Sequence, residues 1–569
     1  MSIRRRATVS LGMSGVHPVV ARVLAARGQR EAPDYSLQGL LPPTLRGLER
    51  AADILAEAIQ NGRRILVVGD FDADGATGTA LAVRALRSLG AREVAWRVPD
   101  RFRHGYGLSP ALVEEIESPA PDVLVTVDQG ISSLTGVAAA QAKGMLVIVT
   151  DHHLPGPQLP SAEAIVNPNL ADESFDSTAL AGVGVMFYTA MAVRARLREL
   201  GWFDRRPLPR LDGLLDLVAL GTVADLVPLD ENNRRLVYQG LARMRAGQCS
   251  HGVRALLEVA GRNLRHVQAA DLGFAAGPRL NAAGRLEDMG IGVRCLLADS
   301  EHSARALAGE LDALNAQRQA IQADMLKAAE AQADALAERL EQSAQGLCVF
   351  DPDWHQGVVG LVAGRLMERL QRPVLAFAPA EPGSTELKGS GRSPAGLHMR
   401  DLLVEIDTHH PGLMARFGGH ARAAGLSLAR DRLEDFQRSF DHCLARHEFA
   451  DEVVLTDGEL AGGELNTETA EALEQGGPWG QGWPEPLFDG RFRVLERRIV
   501  GQVHLKLRLQ PESGGEAVEA IAFRAARQLD GDLPELLHLT YRLELNRWRG
   551  RISPQLNIQH RVAQLAPLS

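Results

Sequence analysis

The sequence predicts an α/β protein: two α/β domains joined by a long helix, followed by an all-β domain, a small antiparallel barrel or sandwich. Three observations predict it. Short runs rich in Ile and Val alternate with helical stretches from about residue 51 onward, which is how strands buried on both faces of a parallel sheet read. A 3-4 spaced apolar seam then runs through Leu307, Leu311, Leu314, Ile321, Met325, Ala328 and Ala335, with Arg318 and Gln332 at the two remaining seam positions. Beyond residue 450 the apolar positions alternate with period two, as in His538-Leu-Thr-Tyr-Arg-Leu-Glu-Leu. With 569 residues the chain is too long for one core.

In chain order, residues 1–50 form an N-terminal segment without a clear pattern, where Pro42-Pro43 breaks any helix. The first α/β domain spans 51–235. It has a helix at 51–60, a strand at 64–69, a helix at 76–89 ending at Gly90, and strands at 94–98, 123–127, 146–149 and 164–166. Residues 236–345 are a helical region ending in the long connecting helix, which packs on a neighbour; Gly346 ends it. The second α/β domain spans 346–449. It opens with the run Leu347-Cys-Val-Phe, then a helix at 357–370, a strand at 373–377 and a polar loop at 389–393. The all-β domain spans 450–569, with strands within 494–509, 517–523 and 537–548 and a Gly-, Pro- and Trp-rich lead-in loop at 475–486.

Composition narrows the class. The four cysteines, Cys249, Cys295, Cys348 and Cys443, are dispersed and form no CxxC, which argues against a disulfide framework or a thiolate zinc site and fits a reducing compartment. The basic start Met1-Ser-Ile-Arg-Arg-Arg is followed by no continuous apolar core. We therefore expect neither a signal peptide nor a membrane span, and a cytoplasmic protein. A net charge of −9 counts mildly against a nucleic-acid binder, but footprints are local. Residues 491–508 hold Arg491, Arg493, Arg497, Arg498, Lys506 and Arg508 with the single acid Glu496.

The chemistry sits where apolar runs stop. Asp70-Phe-Asp-Ala-Asp-Gly75, Asp128-Gln-Gly and Asp151-His-His each follow a predicted strand, and ligands gather at the carboxyl ends of such strands. Ala224-Asp-Leu-Val-Pro supplies a further acid, Asp225. Three Asp within five residues repel one another unless a cation sits among them. Each segment taken alone reads as a capping or turn motif; together, carboxylates and imidazoles suit manganese or magnesium. Two metals on shared carboxylates are a standard means of hydrolysing phosphodiesters.

These motifs, with Gly277-Pro-Arg-Leu-Asn-Ala-Ala-Gly-Arg, Gly389-Ser-Gly-Arg-Ser and Gly418-Gly-His, resemble the DHH phosphoesterase superfamily. Within it the chain resembles the bacterial single-stranded-DNA-specific exonucleases, in motif order and from about residue 50 to beyond 560. The His that many members carry before the first Asp-x-Asp is here replaced by Val68 or Gly69. The resemblance implies two divalent ions, Mn²⁺ or Mg²⁺, on Asp72, Asp74, Asp128, His152 and Asp225, with Asp128 bridging and Asp70 a weaker candidate. Asp74, Asp128 and His153 would carry catalysis, His153 facing the scissile phosphate. Arg279, Ser390, Arg392, Ser393 and His420 would bind substrate. It further implies that the two α/β domains are a DHH domain and a DHH-associated substrate-binding domain, that the all-β domain has the oligonucleotide-binding (OB) fold, and that the activity is 5′-to-3′ hydrolysis of single-stranded DNA to 5′-mononucleotides in repair and recombination. The implied partners are a single-strand-binding protein and a helicase, with no membrane, and the chain would act as a monomer.

Trp479, Trp483, Phe492 and Tyr541 are candidates for base stacking, although core packing is the ordinary role of such residues. The alternative function is a DHH phosphodiesterase of short oligonucleotides or cyclic dinucleotides, which has less use for a barrel and a basic stretch. A non-catalytic replication scaffold would have shed metal ligands, and a pyrophosphatase would not need an oligonucleotide-binding domain.

Overall fold

The computed structural model describes residues 2–7, 12–335, 346–447, 453–501, 503–523, 525, 534–548 and 550–561. The chain divides into two units. One comprises Met1–Asn281, Asp288–Gly309 and Val453–Ser569; the other comprises Ala282–Glu287 and Glu310–Glu452.

The first unit opens with β1 (Ser2–Arg5) and then builds a five-stranded sheet from β2 (Ile65–Gly69), β3 (Val94–Arg97), β4 (Val123–Val127), β5 (Leu146–Thr150) and β6 (Ala164–Val166). The order is β3-β2-β4-β5-β6, and every pairing is parallel. Every residue of β2 and β4 is buried, which is why their sequences are continuous apolar runs. From β2 the chain steps outward to β3 and then returns to the other side as β4. The switch point of the sheet therefore lies between β2 and β4, where an open α/β sheet leaves a crevice at its carboxyl edge.

The second unit contains β7 (Leu347–Phe350), β8 (Val374–Pro379), β9 (Glu386–Arg392), β10 (Arg416–Gly419) and β11 (Ala423–Ala429). The order is β10-β11-β9-β8-β7, and only β7 and β8 run parallel. Alternate residues of β8 feed two cores: Leu375 and Phe377 on one face, Val374, Ala376 and Ala378 on the other. Residues 389–393, expected as a polar loop, are largely the end of β9. Gly389 lets β9 pass over Phe377, whose ring a Cβ would meet at 2.4 Å, so glycine here marks close packing rather than a turn.

The connecting helix is Glu301–Ala335; its expected continuation to 345 lies outside the described residues. Its buried stripe is Ala304, Ala308, Leu311, Asn315, Met325, Ala329 and Ala333, which shares Leu311 and Met325 with the expected seam. Leu307 and Leu314 are half-buried and Ala335 is exposed. Elsewhere the stripe runs through small alanines, which allow close approach.

The C-terminal part of the first unit holds β12 (Val453–Thr456), β13 (Phe488–Val500), β14 (His504–Pro511), β15 (Val518–Ala522), β16 (Leu536–Trp548) and β17 (Arg551–Arg561). The last five close into a barrel in the order β13-β14-β15-β17-β16. The N-terminal segment belongs to this part. β1 pairs in parallel with β12, and the helix Pro18–Ala26 buries Val19, Val20, Val23 and Leu24 in the barrel core with Leu473, Phe488 and Tyr541. Trp479, Phe492 and Tyr541 are themselves buried in that core, and half-buried Trp483 stacks beside Trp479 under Arg234. The four aromatics are thus packing residues, and the stacking role expected as an option has no exposed ring to use. Among the described residues no helix is long and apolar enough to cross a membrane.

Candidate metal centre

β2 delivers Asp70, buried, at the switch point. Asp72 caps the helix Ala73–Leu89, one carboxylate oxygen accepting from Gly75 N at 3.0 Å. Capping therefore uses one oxygen and leaves the other for a second task. Asp74, inside the first turn, accepts from Gly182 N at 2.6 Å and Val183 N at 2.9 Å, the positive end of the helix Gly182–Glu199. Asp128 leaves β4 at φ 61°, a conformation that costs energy for a residue with a Cβ and that turns its side chain into the crevice. Gly182 permits this, since a Cβ there would lie 2.4 Å from that of Asp128.

β5 delivers Asp151. Its Oδ1 accepts from His152 N at 2.7 Å and His153 N at 3.1 Å and lies 2.8 Å from His153 Nδ1; its Oδ2 accepts from Ile131 N at 2.9 Å. Asp151 is therefore occupied with positioning the two histidines. Asn167 and Asn169 donate to the carbonyls of His153 and His152 at 2.9 and 2.5 Å. His152 Nε2 lies 3.1 Å from Asp128 Oδ1 and 3.5 Å from Oδ2 of Asp225, which ends the helix Leu215–Ala224. Three overlapping groups result: Asp70, Asp72 and Asp128; Asp128, His152 and His153; and Asp74, His152 and Asp225. In each, the donor atoms lie within 4.8 Å of one another. Asp128 and His152 are each shared by two groups, an arrangement suited to adjacent ions.

The electrostatics point the same way. Burial, then the neighbouring Asp72, push Asp70 well above the usual carboxylate range and Asp74 up to about 7; burial and Asp74 do the same to Asp128 and Asp225. Among the described residues no hydrogen bond reaches Oδ1 of Asp70 or of Asp128. Buried carboxylate oxygens without donors, beside imidazole nitrogen and no sulfur, fit manganese or magnesium. Asp151 behaves oppositely: burial works against its charge, but the hydrogen bond and charge of His153 hold it below its ordinary value. For His153, burial is outweighed by Asp151, which carries it to about 9.

Several residues here lacked a sequence signal. Tyr106 OH lies 3.2 Å from His153 Nε2, and Arg101 stacks over Phe71 at 4.0 Å. The only available hint was the mixed aromatic and basic stretch 101–106 after β3. Asn167 and Asn169 could have been found as the polar pair directly after β6.

The expected substrate residues divide between the units. Arg279 lies on the helix Gly277–Leu286, with Nη1 2.8 Å from Ala275 O. Asn281 of the same helix accepts from Ala73 N at 2.8 Å, which ties this helix to the Asp70–Gly75 loop. In the second unit Arg392 Nη1 donates to Ser390 Oγ at 2.9 Å, beside Gly360 in the first turn of the helix Val359–Leu370. Ser393 differs from its expected role: it is fully buried, with its hydroxyl 2.8 Å from Leu397 O, so it holds a turn. His420 is exposed in the turn between β10 and β11. On the barrel, β13 and β14 set Arg498 opposite Lys506, whose ammonium already pairs with Glu519 at 2.9 Å, while Arg508 and Arg493 pair with Glu496 and Glu535.

Three family models match the chain: the DHH family, N-terminal domain, over 64–222; the DHHA1 domain over 341–446; and the RecJ OB domain over 456–560. A protein described as single-stranded-DNA-specific exonuclease RecJ from Dickeya dadantii (strain 3937) is 53% identical over 573 residues, covering 98% of each chain. Its counterpart of the same description from Escherichia coli (strain K12) is 52% identical over 559 residues, covering 95% of each. A solved structure of RecJ with Mn²⁺ from Thermus thermophilus superposes with a TM-score of 0.80 at 34% identity, covering 97% of this chain and 76% of that one.

Proposed function

The chain belongs to the RecJ family, and from that premise we propose that it hydrolyses single-stranded DNA from the 5′ end, releasing 5′-mononucleotides at the carboxylate–histidine cluster of the first unit. It is a metal-dependent exonuclease with DHH, DHHA1 and OB domains. The observation that carries the site assignment is the overlap of three donor groups on Asp128 and His152 at the carboxyl edge of a parallel sheet.

Asp72, Asp74, Asp128, His152 and Asp225 would hold two ions, with Asp70 close enough to join. When bound, divalent metal supplies Lewis-acid charge at the phosphate and a nucleophile at neutral pH. The chain's own residues do the rest. Asp151 fixes the ring of His153, so a proton on that imidazole faces the crevice and offsets charge gathering on a non-bridging phosphate oxygen. Arg279 supplies a guanidinium on a helix tied to the metal loop, and Arg392 with Ser390 a second phosphate-binding pair, matched to phosphate by the bidentate fork. Ser393 and His420 were expected in this group; Ser393 serves by holding the turn after β9, and His420 remains a candidate contact. Arg498 and Lys506, with Glu519 offsetting part of their charge, would attract the strand along the barrel. The full-length likeness to exonucleases gives the short-oligonucleotide alternative no support. A single-strand-binding protein and a helicase as partners, a monomeric state and a cytoplasmic location complete the proposal.

The test is digestion of end-labelled single-stranded DNA with manganese or magnesium, beside strands blocked at either end and a blunt duplex. Release of mononucleotides that stops when the 5′ end is blocked or paired is expected. Release that survives a 5′ block, or equal digestion of the duplex, would overturn the polarity or the strand selectivity.

A further inference from the structure

A second cluster of metal-binding side chains lies in the second unit, on two neighbouring helices, Met399–His409 and Leu433–Leu444. Glu405 and His409 are one helical turn apart on the first. Cys443 lies in the last turn of the second, and His447 follows three residues past its end. Ligand atoms of Glu405, His409 and Cys443 lie within 4.8 Å of one another, and His447 Nε2 is 3.2 Å from Glu405 Oε2. Donors around a tetrahedral zinc are roughly 3.3–3.8 Å apart, so the first three need only rotamer adjustment, while His447, seated beside Glu405, must turn toward the other two to close the set.

The details favour a metal over an ordinary surface ion pair. His409 Nδ1 sits 2.7 Å from Glu405 O, which fixes the ring proton there and leaves the Nε2 lone pair free to bind a cation. That lone pair already faces a cation: Arg446 Nη1 is 3.3 Å from His409 Nε2 and 3.5 Å from Glu405 Oε1. Arg446 is half-exposed, so it can swing outward, giving up these contacts and one to His442 Nε2 at 3.0 Å. Cys443, by contrast, is fully buried and cannot leave. One sulfur, two imidazoles and one carboxylate make a softer set than the oxygen-rich centre of the first unit.

We propose that Glu405, His409, Cys443 and His447 form a four-coordinate site for one zinc ion, which pins the two helices together, with Arg446 as the counter-cation it displaces. On binding, the Cys443 S–H bond breaks and its proton passes to solvent. One zinc–sulfur, two zinc–nitrogen and one zinc–oxygen bond form, and no redox step is involved.

The test uses the chelator-stripped full-length protein, titrated with Co²⁺ in excess Mg²⁺. One equivalent giving a thiolate-to-cobalt charge-transfer band, bleached by Zn²⁺, is expected. The band should be lost in C443S and in H409A, and zinc should raise the melting temperature of the wild-type protein but not of H409A. His409 is exposed, so H409A should fold and digest DNA with manganese as the wild type does; if C443S fails to fold, H409A and E405Q carry the test. The catalytic donor set contains no sulfur, so cobalt bound there gives no such band. No thiolate band in the wild type, a band that survives in C443S, or a band seen only in R446A would each overturn the proposal.

Discussion

Buried aspartates meet opposite fates in two parts of the first unit. At the carboxyl edge of the sheet, Asp70, Asp74 and Asp128 are buried among other carboxylates, and burial and mutual repulsion push all three upward. Beside the barrel, Asp457 and Asp489 are equally buried, but each meets an arginine from the N-terminal segment. Arg27 grips Asp457 with contacts of 3.1 and 2.7 Å, and Arg5 reaches Asp489 at 2.8 Å. Asp489 is held below its ordinary value: burial opposes its charge, but Arg5, Thr456 and His538 outweigh it. A buried carboxylate given a cation by its own chain is part of the framework. A cluster of them offset only in part, by Arg101 and His153, awaits a further cation from solution.

This comparison can be broken at either end. Asp128→Ala should cost turnover on the order of 10³-fold or more, measured on end-labelled single strands, because metal-centred charge stabilisation is lost. Asp128→Asn, a residue type at home at positive φ, should melt no lower than the wild type once both are stripped by chelator. Chelation itself should lower the wild-type melting temperature more than that of the variant, since bound ions stabilise the state that holds them. A variant that still turns over, or that collapses without metal, would place Asp128 with the framework carboxylates.

Arg27→Ala strands Asp457 and should cost about 3 kcal/mol in urea unfolding, the low end for a broken buried pair because Arg6 remains 3.4 Å away. Asp151→Asn should lower kcat by about 10–100-fold with little change in KM, the scale for losing a group that orients a metal-site histidine. An effect on stability alone would assign Asp151 to the framework.

The smallest effect is a pH dependence. Because the Asp489 carboxyl is depressed on folding, its contribution is present above the unfolded carboxylate value of about 3.9 and is lost as pH falls through its lower folded value. Arg5 is half-exposed, so Arg5→Ala should cost about 1 kcal/mol near neutrality and less once Asp489 is protonated. A difference between the two proteins that stays constant down to the acid limb would mean that Arg5 acts through packing.

The sequence by itself determined the elements of the first sheet and the acids that follow them. Strands buried on both faces must be continuous apolar runs, and the first polar residues after such runs mark the carboxyl edge of the sheet. Asp70, Asp128 and Asp151 were therefore legible one by one. Their meeting was not, because it depends on the strand order β3-β2-β4-β5-β6, on Asp128 adopting φ 61°, and on Gly182 standing aside for it. The strand β9 hid behind glycines that pack closely yet read as a loop, and the true stripe of the long helix hid in alanines. The N-terminal segment gave no pattern at all, since its helix and strand are completed by partners such as Asp489, 484 residues from Arg5. Local periodicity reports how deeply an element is buried in itself and its immediate neighbours. Which distant surfaces meet, and hence which buried charges find a partner and which are left for a metal, is decided only when the chain closes on itself.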